Sequence, residues 1–480
     1  IKFAVEEAGK LDMDVYLSVS SSWNAGGSWI KPENAAKTLY FSEVRVSGPK
    51  RMNIKPPFPT INTPKDERHQ QILLDPNGKP QFYTEVAVLA LPISSRKIDT
   101  AQIINVSRYF DPETEVLDWK VPKGEWRIVR YICANSGKTL NSPSPNSNGF
   151  ELDPLDAAST ASHFEYFIER LKPLFGGDIK NSALKGLYLA SYENSDLLWT
   201  PALPSAFREL NGYDIWKFIP TIFTPDIFPE DLVEDFQFDF RKTISEVMLK
   251  SFYQTSKEIS NKNGLLLISE SGGPGGWHRI PVEAIKSFGA LDIPRGEFWN
   301  KYENHNIGDD IDAKWLVKEI AAASHIYGKK LVEEEAFTSW QNWQEGPYDL
   351  KALADRAFCE GMNRVVIHGF SHEPVKGRLP GIAFYAGTHF NDRNTWWSKV
   401  KPFNQYLARI SFILQNSKFV SDVLLYNGDD VPNLVPPKNT HFKVGNGYDY
   451  EVINTDVLLN KLEVENGMLH LPDVSKYQLL

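Results

Sequence analysis

Cysteine is almost missing from this chain. Cys133 and Cys359 are the only two in 480 residues, which fits neither a disulfide framework nor the spacing of a metal site. No apolar run approaches the ~18 residues of a membrane span, so an integral membrane protein is excluded. The 52 Lys and Arg against 61 Asp and Glu leave a formal charge of −9, spread without blocks. That pattern lacks the clustered basic face nucleic acid demands, so no nucleic-acid partner is expected. No G-x-G-x-x-G turn follows any strand-like segment, which disfavours dinucleotide binding. Internal repeats and low-complexity tracts are absent as well. There is no initiator Met and no signal-peptide pattern. Opening in a helical pattern at Ile1 and closing on the strand-like Tyr477 to Leu480, the chain reads as a piece of a longer protein.

The residues present are ordinary for a globular protein: 42% hydrophobic and 24% charged, enough to bury a sizeable core. The length suggests two to four domains, at roughly 100–200 residues each. Aromatic content is high, with 28 Phe, 19 Tyr and 13 Trp, and flat rings beyond the needs of packing suit sugar faces. Residues 1–43 read as helix, strand and loop. From 44 to 136 the pattern turns to β, rich in branched and aromatic residues and punctuated by proline, as in an inserted β-sandwich domain. Residues 137–417 alternate helical patterns with short apolar strands, and 418–480 open a further C-terminal α/β domain. Strand-like runs at 15–17, 186–190, 264–268, 290–293, 330–332 and 364–367 alternate with helices, which means a parallel sheet. The expected fold is α/β: a (β/α)8 TIM-like barrel, its first part in 1–43 and its main part in 137–417.

After all but the first of these runs comes a polar residue suited to acid–base chemistry. Glu193, Glu270, Glu297, Glu335 and His368 succeed the strands in turn, and in parallel α/β folds the C-terminal strand ends face the active site. Aromatics accompany them, among them Tyr192, Trp277 and, on an earlier Gly-rich loop, Trp29. An acidic, ring-lined mouth is what glycoside hydrolysis needs: one carboxylic acid to protonate the leaving oxygen and one carboxylate to activate water or attack. Any single one of these residues could instead be a surface charge or a helix-capping neighbour. Glu297 could pair with Arg295, His368 could be a satisfied strand-end histidine, and Glu151 and Asp153 could either touch a cation or cap the next helix.

Several stretches together resemble glycoside hydrolase family 106, the α-L-rhamnosidase type. They are Trp23-Asn24-Ala25-Gly26-Gly27-Ser28-Trp29, Ser191-Tyr192-Glu193, Gly296-Glu297-Phe298-Trp299, Glu335-Ala336-Phe337-Thr338-Ser339 and the run from Asp355 to Arg364. They occur in consistent order over nearly the whole chain. The resemblance implies an inverting, exo-acting hydrolase of terminal α-L-rhamnosides, or of a related deoxy sugar, in plant or microbial polysaccharides. It implies Glu193 as general acid and Glu335 as general base. Substrate contacts are then expected from Trp29, Tyr192, Trp277, Glu297 and His368. It also implies calcium, for which Glu151 and Asp153 are the candidate ligands, and a periplasmic or extracellular location. One departure stands out: Ala190 occupies the place where the family usually has Asp. That loss raises a second reading, a non-catalytic carbohydrate-binding protein built on the same barrel.

Overall fold

The computed structural model describes residues 1–480 except 22, 62–71, 95, 195, 274–279, 301–314, 371–374, 376, 379–380, 382–385 and 473. It divides into two compact units, one of residues 1–18, 178–194 and 260–480, the other of residues 19–177 and 195–259.

The first unit is a six-stranded parallel sheet, β1 (Val15–Ser18), β2 (Leu184–Leu189), β3 (Leu266–Ser269), β4 (Ile293–Trp299), β5 (Glu333–Thr338) and β6 (Arg364–Ile367). Spatial order equals chain order, and every neighbouring pair is parallel. Parallel neighbours need crossovers. The helices Val317–Ile326 and Pro347–Glu360 supply two of them, on either side of β5. The sheet curls: the Arg364 guanidinium on β6 lies 5.2 Å from the ring centroid of Tyr16 on β1, so the first and last strands face each other. A mixed α/β unit with a curled parallel sheet is what the described residues establish.

The two faces of this sheet differ in chemistry. Phe298, Ala336 and Phe337 bury themselves in an apolar cluster with Leu350, Ala354 and Phe358 of the helix Pro347–Glu360 and with Phe403 and Leu407, while Val365 and Ile367 pack against it. Gly296 is required here, because a Cβ would stand 2.4 Å from Ile320 and 2.7 Å from Glu334, so the close approach of helix to strand excludes any side chain. The opposite face carries Arg295, Glu297, Glu333, Glu335 and Arg364, in the alternation that period two dictates.

β4 and β5 lie three residues downstream of the apolar runs at 290–293 and 330–332. Ala290 caps the helix Ala284–Gly289 rather than opening a strand. The true strands were hidden because their inner face is charged.

C-terminal to the sheet, Val423–Tyr426 and Tyr450–Ile453 pair in parallel, and the helix Thr455–Asn460 comes next. Lys318 and His325, on the helix Val317–Ile326, both engage buried Glu451, at 2.9 and 2.5 Å. An uncompensated charge at such a site would cost several kcal/mol, roughly 3–5.

The second unit centres on one five-stranded antiparallel sheet. Its two long strands, Lys37–Ile54 and Val116–Asn135, pair along nearly their whole length. Tyr83–Pro92 and Phe110–Asp111 also pair with Val116–Asn135, and Ile104–Asn105 completes the edge. Val46, Val88, Leu117 and Ile128 form its buried cluster. Among the described residues these segments form one hydrogen-bonded sheet, and the ladder of its two long strands shifts register between Gly48 and Lys50. Its two longest strands run 18 and 20 residues.

Candidate active site

Strand pairing fixes which side chains share a face. Glu297 on β4 is the direct partner of Glu335 on β5, and Glu335 of Val366 on β6. Partners across a parallel pair point the same way, as do residues two apart. Glu297, Glu335 and, one layer lower, Arg295, Glu333 and Arg364 therefore project from one side of the sheet. Glu334 projects from the other.

The lower layer is neutralised internally. Arg295 donates to Glu333 Oε1 at 2.6 Å and Arg364 to Oε2 of the same carboxylate at 3.0 Å. Arg295 thus pairs with Glu333 rather than with Glu297. Its guanidinium also lies 4.3 Å from the ring centroid of Tyr188. Tyr188 in turn donates its hydroxyl to Glu270 Oε1 at 2.5 Å. Because Leu189 pairs with Ser269, Glu270 is the next residue along β3 beside Ala190.

Above this floor stand the carboxyl groups, and they hold their protons unequally. Burial, with the Glu335 charge second, pushes the Glu270 carboxyl up to about 8 despite Arg295 and the Tyr188 hydrogen bond. Burial, then the charges of Glu335, Glu270 and Glu193, raises Glu297 well above the ordinary range. Its Oε1 is buried and has no hydrogen-bond partner among the described residues. Burial acts on Glu335 in the same direction, yet it is outweighed by the hydrogen bond and charge of His368, by the Thr338 hydroxyl and by Arg295, leaving this carboxyl below its usual value. His368 Nδ1 stands 3.0 Å from Glu335 Oε1, and Thr338 Oγ1 donates to the same oxygen at 2.7 Å. Burial lowers His368, but its bond to Glu335 more than restores it, so the imidazolium is favoured. The surroundings thus favour the ionised form of Glu335 and the neutral forms of Glu270 and Glu297, the outcome expected when like charges crowd a desolvated site.

Thr338 reaches Glu335 only because of a bulge. Three residues after Glu335, simple alternation would turn Thr338 to the opposite face. In β5, however, Phe298 pairs with Ala336 while Trp299 pairs with Thr338, so Phe337 is an extra residue, and it holds φ at +70°. A bulged residue re-aims the side chain after it. Phe337 keeps its ring in the apolar cluster, and Thr338 returns to the carboxylate.

Glu193 lies in the loop after β2, where Ser191 Oγ donates to its Oε1 at 2.7 Å. Buried Tyr192 holds that loop to the next one through its backbone N–H on Ser271 O, 2.8 Å. The charge of Glu193 is felt by both Glu270 and Glu297, which places it with the rim group.

The other described sequence candidates belong to the second unit. Trp29, in the second unit, stacks on Tyr166 (centroids 4.0 Å apart, 12° between planes) and donates to His163 Nδ1 at 3.2 Å, so its ring is engaged in packing. Asp153 is fully buried and accepts from Lys37 Nζ at 2.9 Å, Thr200 Oγ1 at 3.0 Å and the Leu155 N–H at 3.0 Å. Buried Glu151 accepts from Asn24 Nδ2 at 2.7 Å. With an ammonium already on Asp153, this pair reads as an internal fastening of the second unit. Among the described residues no group of three or more His, Cys, Asp or Glu side chains is arranged to hold a metal ion. Trp277 lies outside the described residues.

Thr338 and Tyr188 are site residues that sequence reasoning gave no role, and Arg295 was considered only as a partner of Glu297. Only Thr338 carried a signal, as a member of the Glu335-Ala336-Phe337-Thr338 stretch.

A family model described as alpha-L-rhamnosidase matches residues 1–101 and 93–480. A protein of Formosa agariphila named "Putative beta-glucuronidase" is 31% identical over 516 residues, covering 100% of this chain and 41% of that one. A solved rhamnosidase from Novosphingobium sp. PP1Y has the same fold, with a TM-score of 0.82 at 21% identity, over 100% of this chain and 60% of the other. The chain therefore spans less than two thirds of either relative.

Proposed function

Because the chain belongs to glycoside hydrolase family 106, the α-L-rhamnosidase family, we propose that it is the catalytic part of an exo-acting, inverting hydrolase of terminal α-L-rhamnosides or a related deoxy sugar in plant or microbial polysaccharides. One observation carries this reading: Glu297 and Glu335 are direct cross-strand partners on one face of the sheet, and burial raises the pKa of Glu297 and Glu270 while the bonds from His368 and Thr338 hold Glu335 below its usual value. In the proposed mechanism Glu335 removes a proton from water, whose oxygen bonds to the anomeric carbon. Glu193 gives its proton to the glycosidic oxygen as the bond to the aglycone breaks. His368 and Thr338 hold Glu335 ionised and oriented, and Ser191 orients Glu193. Neutral Glu297 and Glu270 bind sugar hydroxyls without adding charge against Glu335. Acid–base assistance of this kind is worth roughly 10²–10⁴-fold in rate.

The six paired strands and the approach of Arg364 to Tyr16 favour a complete (β/α)8 barrel, to which the accessory sheet and C-terminal α/β segment would be appended. Calcium is proposed from the family resemblance alone. Asp153, already engaged by the Lys37 ammonium, does not fit it, and no step of the mechanism passes through it. A periplasmic or extracellular site of action is likewise proposed from the family. No helix among the described residues is long and apolar enough to cross a membrane.

The test is release of p-nitrophenol from its α-L-rhamnopyranoside and, given the name of the curated relative, from its β-D-glucuronide, by the full-length protein with and without a chelator. Proton NMR of the first sugar formed reads the stereochemistry. Rhamnoside cleavage giving the β-anomer supports the proposal. Retention of configuration, or cleavage of the glucuronide alone, overturns it. A loss of rate on chelation that added calcium, and not magnesium, restores would support the calcium.

A further inference from the structure

The second unit holds a cationic cavity that plays no part in the proposed chemistry. It encloses about 380 Å³ and is lined by Arg45, Arg96, Lys97, Arg127 and Asp226 together with Pro92, Ile93, Ile98 and Ile227. Four cations meet one carboxylate there, in a chain whose net charge is −9.

The arrangement is built into the sheet. Arg45 and Arg127 are direct cross-strand partners on the two longest strands, and like charges directly opposite destabilise a sheet. Arg127 has partial relief from Glu43 at 3.6 Å. Among the described residues, no ion pair or side-chain hydrogen bond engages the guanidinium of Arg45 or of Arg96. Lys97 donates to the Asp226 backbone carbonyl, and the Ile98 N–H donates to Ile227 O at 2.8 Å. These bonds fix the loop that carries Arg96 and Lys97 against residues 226–227. A fold that places two arginines face to face, and adds two more cations from a tethered loop, is suited to an anion between them.

The remaining lining narrows the class. Pro92, Ile93, Ile98 and Ile227 give apolar surface beside the guanidinium groups, as the C–H face of a sugar ring requires. The volume falls in the small-ligand range of ~300–1,000 Å³ and exceeds what a bare oxyanion needs. Guanidinium forks match carboxylate and sulfate oxygens alike.

We propose that this cavity is an accessory binding site for a saccharide bearing an oxyanion, a sulfate ester or a uronate carboxylate, which would anchor an acidic polysaccharide. The ligand class rests on the carbohydrate reading above, but the site does not depend on turnover. The experiment is isothermal titration calorimetry of the full-length protein with a sulfated carrageenan tetrasaccharide, trigalacturonate, neutral maltotriose and inorganic sulfate, at low and at physiological ionic strength. At least one anionic oligosaccharide is expected to bind about tenfold more tightly than both maltotriose and inorganic sulfate, a difference of about 1.4 kcal/mol. Which of the two does so identifies sulfate ester or carboxylate. The double variant Arg45→Ala/Arg96→Ala, checked by thermal melting, is expected to lose that advantage. Equal binding of neutral and anionic sugars would overturn the proposal. So would inorganic sulfate as tight as either sugar, or a folded double variant with unchanged affinity. Binding is read directly, so its failure is distinguishable from failure to cleave rhamnosides.

Discussion

Thr338→Val tests how the proposed base is kept ionised. The substitution preserves shape and β-propensity and removes only the hydroxyl that donates to Glu335 Oε1 at 2.7 Å. A hydrogen bond to a charged group contributes about 1.5–3 kcal/mol, and one pKa unit corresponds to about 1.36 kcal/mol. That range translates to about one to two units. The Glu335 side chain is 20% exposed and His368 remains 3.0 Å away, so water and the imidazolium compensate in part and the lower end applies. Glu335 acts as base when deprotonated. Losing a donor to the ionised form raises its pKa, and the acidic limb of the kcat/KM profile is expected to move up by about one pH unit. The rate on the plateau above that limb should change far less. Thr338→Ser keeps the donor and should leave the limb near its original position. A Val variant that melts like the parent and whose acidic limb does not move would refute the assignment of Thr338 as a positioning residue for Glu335. A uniform fall in rate at all pH values would likewise point to a merely structural role.

The same site and its supporting sheet set three further outcomes. Glu335→Gln should lower kcat by roughly 10²–10⁴-fold while sugar binding, measured by calorimetry, persists; near-normal turnover would remove Glu335 from the role of base. Glu270, with its carboxyl pushed up to about 8, is neutral at pH 6, so Glu270→Gln should turn over almost normally there and should lose any alkaline limb near pH 8. If Glu270 rather than Glu193 donates the proton, that variant will instead be inactive at every pH. On the outer face, Glu334 is buried with neither oxygen hydrogen-bonded among the described residues, and burial, then the Glu360 charge, raises its pKa well above normal. The native state thus holds a proton that the unfolded chain releases above the ordinary carboxyl range near 4.3. Stability should therefore fall as pH rises from that range towards the raised native value, and Glu334→Gln should flatten the fall. Thermal melts of parent and variant at pH 5 and pH 8 with identical slopes would contradict this.

The chemistry of the rim was legible in the sequence because polar residues recur after apolar runs, and that pattern survives errors in placing the strands. Their exact settings were less legible. Glu297 and Glu335 lie inside β4 and β5 rather than beyond them, since apolar runs report only the outward face of a strand. The inner face of this sheet is charged, so Glu333-Glu334-Glu335 resembles a surface loop until the ladder pairs Glu333 with Arg295 and Arg364. Thr338 was hidden for another reason. Period-two alternation assigns it to the wrong face, and only the left-handed Phe337 corrects the count.

Arg45 and Arg127 show the limit from the opposite direction. The even spread of charge along the chain led to the expectation of no basic face, an expectation that speaks only of neighbours in sequence. A long antiparallel ladder can nevertheless bring distant cations together, because its register is set by burial of residues such as Val46 and Ile128, whatever charge stands on the other face. Local charge patterning can thus miss a compact cluster of cations such as that around Arg45 and Arg127. Only the cross-strand register brings Arg45 and Arg127 side by side.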